Sequence, residues 1–199
     1  MSFDKIFAPP HLARFALALV FLAGLSSAAL AHVGIHADGF ADGFGHPLSG
    51  MDHVLAMVAV GLWAAQIGRP AYWLLPLTFP VVMGLGALVG SSGIALPWIE
   101  LAIAGSVVAL GSVIAFALRP STAASVAIIA LFALFHGYAH GTELGDSSAA
   151  FCAGFVGATL ALHAIGLAFG AWSARSTGLL GARTAGAAIA VLGAVLLIG

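Results

Sequence analysis

A chain of 199 residues that is 62% hydrophobic and only 7% charged, with a mean hydropathy of +1.14, stands far outside soluble-domain composition, where about a quarter of residues are charged. Six basic and seven acidic residues give a net charge of −1, which leaves no basic patch for nucleic acid and excludes that partner. The single cysteine, Cys152, supports neither a disulfide framework nor a cysteine-rich metal cluster, so any metal site must use the eight histidines and the carboxylates.

At the N-terminus, Lys5 and Arg14 precede an apolar run over 15–25, then small residues and Ala29-Leu30-Ala31, the pattern of a secretory signal with an A-x-A cleavage site. This predicts removal of residues 1–31 and a mature chain starting at His32. The alternative is an uncleaved helix over 12–31, just long enough to span. His32 and His36 would flank the mature terminus, where His32 can chelate through its amine and imidazole. Their plainer reading is disordered terminal residues.

Apolar segments follow at 47–67, 72–89, 97–118, 123–141, 149–172 and 179–198, each close to the ~20 residues that a bilayer core requires. Gly68-Arg69-Pro70, Ser91-Ser92-Gly93, Arg119-Pro120-Ser121 and Gly145-Asp146-Ser147 read as short loops between them. The expected fold is all-α, a polytopic membrane bundle of six transmembrane helices over 32–199 after a cleaved signal peptide, in a bacterial inner membrane. With the mature N-terminus periplasmic, Arg69, Arg119, Arg175 and Arg183 all become cytoplasmic, as the positive-inside rule asks. Asp38, Asp42, Asp52, Glu100, Glu143 and Asp146 then share the other side. Acids contribute little to topology, so their segregation suggests a negative vestibule that concentrates cations, against the alternative that several merely sit in wet loops.

The first span opens His46-Pro47-Leu48-Ser49-Gly50-Met51-Asp52-His53, with Pro47 at a natural first helical position and His46 near the cap. Seven residues of ideal helix put His46 and His53 about 10 Å apart along the axis, too far to share an ion. Sharing requires the start of the helix or Gly50 to be unwound, which membrane proteins tolerate where backbone lines a cavity. Asp52 reads as a ligand or as the acceptor for the other imidazole N–H of a histidine, or simply as a helix cap. In Phe135-His136-Gly137-Tyr138-Ala139-His140-Gly141-Thr142-Glu143, His136, His140 and Glu143 are spaced i, i+4 and i+7 and share one helical face. Histidine pairs also bond between transmembrane helices without metal. His163, deep in the fifth span, reads as an exit ligand or proton relay, or as a histidine bonded to a backbone carbonyl. Gly86-x-x-x-Gly90 and Gly166-x-x-x-Gly170 fit small-residue helix packing, and Pro76 and Pro80 should free carbonyls in the second span.

These two runs, H-P-x-x-G-x-D-H and F-H-G-x-A-H-G-x-E, resemble the HupE/UreJ family of bacterial nickel and cobalt permeases, over essentially the whole chain. The resemblance implies that His46, Asp52, His53, His140 and Glu143 handle the metal, that His136 belongs to the same motif, and that Glu100 matches an acid at the start of the third span. It implies uptake of Ni2+, or Co2+, for hydrogenase or urease maturation by a secondary transporter that is not an enzyme. No cofactor beyond the transported dication is expected; ligand chemistry alone leaves zinc open as the ion. The cation and the lipid bilayer are the expected partners, and a homo-oligomer is left open. The rival readings are an intramembrane zinc hydrolase built on His136, His140 and a third histidine, a weaker serine protease pairing Ser49 with His163, and a non-transporting metal sensor.

Overall fold

The structure, a computed structural model, describes residues 39–144 and 148–199, without the side chains of residues 143 and 144. The expected signal peptide, His32, His36, Asp38, Asp146 and the Glu143 side chain lie outside what is described. The described residues form seven α-helices and no strand: α1 (Phe40–Ser49), α2 (Met51–Ile67), α3 (Ala71–Ser91), α4 (Ile99–Ala115), α5 (Thr122–Leu144), α6 (Ala149–Ser176) and α7 (Leu179–Ile198).

Four of these, α3, α5, α6 and α7, are each long and apolar enough to cross a membrane. The expected first and third spans turn out differently. The first is two helices, α1 and α2, bent by 90° at Gly50, and helix begins at Phe40 rather than at Pro47, which lies inside the last turn of α1. Gly50 is extended at φ −100°, ψ 121°. On one side of it the Ser49 hydroxyl caps the His46 carbonyl at 2.6 Å; on the other the Asp52 carboxylate accepts the His53 backbone N–H at 2.8 Å. Two local side-chain caps therefore take over where intrahelical bonds stop. The third span is the 17-residue α4, about 25 Å long against a hydrocarbon core of about 30 Å.

Glycine pairs set the packing. Gly86 and Gly90 of α3 lie against the backbone of α5 at Leu134 and Tyr138, and Gly137 and Gly141 of α5 lie reciprocally against Met83 and Ala87. A Cβ at any of them would enter neighbouring backbone, so these two helices approach as closely as small-residue interfaces allow. Gly61 and Gly166 join α2 to α6 in the same way, Gly43 and Gly154 join α1 to α6, and Gly111, Gly186 and Gly193 join α4 to α7. The expected role of Gly86, Gly90 and Gly166 in tight packing is met, and Gly170 closes on Ala65 and Leu62.

Polarity is distributed as in a lipid-facing bundle. Leu77, Val81, Leu85, Leu88, Val191 and Val195 are exposed, whereas His136, His163, Ser106, Ser125 and Thr159 are buried. Exposed Trp73 and Trp172 mark one end and exposed Trp98 the other, the interfacial placement that aromatic residues favour. Arg69, Arg119, Arg175 and Arg183 all follow or begin helices at the first of these ends. There the Trp63 indole and the Gln66 amide donate to the carbonyls of Leu118 and Ile114, each at 3.1 Å. Arg183 donates to the Ala115 carbonyl at 2.8 Å. Side chains of α2 and α7 thus satisfy the carbonyls that end the short α4, one with the cation that a helix C-terminus favours.

A candidate metal centre at the helix break

The break at Gly50 brings together what a straight helix would keep apart. His46, at the end of α1, lies with its ring centroid 5.2 Å from that of His140 on α5. His53, in the first turn of α2, stands 4.4 Å from His140 and 5.0 Å from His136. Four imidazoles from three helices therefore share one site, walled by Phe79, Phe151 and Phe155. His136 and His140 are buried, and their i, i+4 spacing on α5 stacks them on one face, as the sequence implies.

Hydrogen bonds decide which nitrogens this site presents. Asp52 Oδ1 lies 2.7 Å from His53 Nδ1. An ionised carboxylate only accepts, so Nδ1 carries the proton and Nε2 keeps its lone pair. That Nε2 is buried and has no hydrogen-bond partner. Asp52 Oδ1 is thus the acceptor that orients the His53 ring, one of the roles its position allowed. His136 is handled in the same way from α4. The Ser106 hydroxyl spends its one proton on the Ile103 carbonyl at 2.7 Å and lies 3.0 Å from His136 Nε2. It can therefore only accept from an Nε2–H, which leaves His136 Nδ1 bare, buried and without a partner. One ring nitrogen on each of two helices, His53 Nε2 and His136 Nδ1, is thereby left buried without a hydrogen-bond partner.

The cluster is not a finished cage: among the described residues, no group of three or more His, Cys, Asp or Glu side chains is set to hold a metal ion. Ligation would require the rings to reorient. A cavity of ≈ 410 Å³ is lined by Met51, Asp52, Glu100, Leu101, Ala104 and the end of α7, so the acids of the first and third expected spans open onto one space. A second, apolar cavity of ≈ 280 Å³ between α3 and α6 reaches His140, Ser91 and Cys152. His163 is not part of the cluster; it stands behind Phe79, with ring centroids 5.4 Å apart. Ser49 is exposed at the end of α1 and bonded to the His46 carbonyl, whereas His163 is buried within α6.

A family model described as HupE / UreJ protein matches residues 19–196 of this chain. The chain belongs to the HupE / UreJ family. A curated relative, Protein HupE of Rhizobium leguminosarum bv. viciae, is 46% identical over 177 residues, which cover 88% of this chain and 93% of that one. No solved structure matches. The matched region contains both histidine motifs, and the structure gives several motif positions in this HupE / UreJ member a physical task. Gly137 and Gly141 seat α5 against α3, while Tyr138 between them donates to the carbonyl of Ile94 and accepts the Leu96 N–H at 2.8 Å. That tyrosine pins the connection leading into α4 and Glu100.

Sequence reasoning missed Tyr138, Ser106, Met51 and Phe79. A hydroxyl in the middle of an apolar span was the available signal for Ser106, since polar groups inside membranes are costly. Its partner on α5 was not readable from spacing. Replacing Ser106 by Ala should free the His136 ring to take the other tautomer and lower metal affinity by about 10- to 100-fold, the usual effect of losing such an orienting bond. Equilibrium dialysis with nickel, alongside a thermal melt showing an intact fold, checks this.

Proposed function

We propose that this chain is a permease that carries a divalent transition-metal ion, Ni2+ first and Co2+ next, across the bacterial inner membrane through six spans. In this reading α4 serves as a short span and α1–α2 as a broken one. The observation that carries the proposal is the meeting of His46, His53, His136 and His140 from three helices, with bare nitrogens on His53 and His136, beside a cavity that Asp52 and Glu100 line. A hydrated cation is drawn by the carboxylates into that cavity, exchanges water for imidazole nitrogen, and moves inward as rings and helices rearrange. Imidazole suits nickel, zinc and copper alike, so the preference for nickel rests on the family rather than on the ligands. The four arginines at the opposite end support a cytoplasmic location for that end and a periplasmic mature N-terminus.

An intramembrane zinc hydrolase fits less well, because it needs a carboxylate free to activate water, and Asp52, the carboxylate seen against the cluster, is engaged by His53. Uptake of radiolabelled nickel into proteoliposomes holding the purified protein tests the proposal. Saturable uptake, competed by cobalt and not by magnesium, is expected; binding without flux would instead make the chain a sensor.

A further inference from the structure

Between the histidine cluster and His163 stands one aromatic ring. Phe79 is fully buried, with its centroid 5.6 Å from that of His136 on one side and 5.4 Å from that of His163 on the other. His163 is 1% exposed, and neither of its ring nitrogens completes a hydrogen bond of full geometry. Its backbone lies against Gly61, eight residues and therefore about 12 Å further along α2 than His53. An imidazole placed so deep is costly to keep without a use.

The backbone around Phe79 is unusual for the same region. In a regular helix the Pro76 carbonyl would accept the N–H of residue 80, and that residue is Pro80, which has none and whose ring crowds that carbonyl. Pro76 likewise leaves the Tyr72 carbonyl without its intrahelical donor. The Pro76 carbonyl, so released, faces the His163 imidazole. Phe79 therefore sits on a turn of α3 that has lost two of its restraining bonds, next to an oxygen and a nitrogen donor.

Building on the permease reading above, we infer that His163 and the Pro76 carbonyl form an inner station for the same dication, and that Phe79 is the barrier between it and the four-histidine cluster. Two donors bind more weakly than four imidazoles, as an inner station must if the ion is to leave. The ion passes when the loosened turn of α3 lets the Phe79 ring swing aside.

The test uses the full-length protein in two measurements, nickel binding in detergent and nickel flux into proteoliposomes, for wild type, His163→Leu, His163→Gln and Phe79→Leu. For both His163 variants, tight binding should stay within about twofold while flux falls at least about tenfold. Phe79→Leu should raise the rate of nickel flux above that of the wild type, because the smaller side chain no longer fills the space between the two sites. Wild-type flux in both His163 variants would overturn the inner station alone, as would binding and flux falling in equal proportion, which would mark a collapsed cluster. A nickel flux in Phe79→Leu no faster than in the wild type would overturn the barrier. Absence of saturable flux already in the wild type would overturn the permease reading, and this inference with it.

Discussion

His53→Ala should reduce nickel affinity and uptake by about 100-fold or more, the upper end of what orienting partners alone contribute and a lower bound for the ring they orient. The substitution removes the one imidazole that neighbours both His136 and His140. It also takes away the imidazole partner of Asp52, leaving that carboxylate with the backbone N–H of residue 53 alone. Because His53 lies in the first turn of α2, away from the glycine contacts that hold α2 to α6, the bundle should still assemble, and circular dichroism with a thermal melt separates loss of the site from loss of the fold. Wild-type uptake by a well-folded His53→Ala protein would remove the centre of the proposal.

Gly50→Ala is expected to be nearly as damaging, for a reason that is steric and local. The backbone there is at φ −100°, ψ 121°, a conformation that alanine adopts without strain. A Cβ at this position would nevertheless stand 2.7 Å from Asp52 Oδ1 and 2.7 Å from His53 Nδ1, the two atoms whose bond fixes the His53 tautomer. Either that bond is displaced, or the break closes toward a continuous helix and carries His46 about 10 Å from His53. Both routes should lower nickel affinity by about 10- to 100-fold while the melting temperature changes little, and equilibrium dialysis beside a thermal melt measures the two. A Gly50→Ala protein that binds nickel as the wild type does would show that the cluster does not depend on the break.

Composition and hydrophobic run lengths were enough to establish the all-α membrane bundle, since no soluble core needs so many apolar residues and so few charges. The helix-internal geometry was also legible. His136 and His140 share a face of α5 because 3.6 residues per turn put them there, and the small-residue spacing of Gly86 and Gly90 announced a close helix contact that the structure places against Gly137 and Gly141. The motif H-P-x-x-G-x-D-H raised the question of whether His46 and His53 could meet and named Gly50 as the place where the answer would be found.

The answer itself came from the tertiary structure. Continuous apolar character over 47–67 cannot distinguish one helix from two that meet at 90°, because hydropathy records polarity and not backbone direction. Nor can spacing along one chain segment reveal a partner 30 residues away, so Ser106 as the acceptor for His136 and Phe79 between His136 and His163 emerge only when α3, α4 and α5 are packed. The sequence by itself picked out the histidines and carboxylates as candidate ligands and set most of them on or beside strongly apolar helices. Packing decided which of them meet and how the His136 ring is held, because those depend on contacts made between helices that no periodicity encodes.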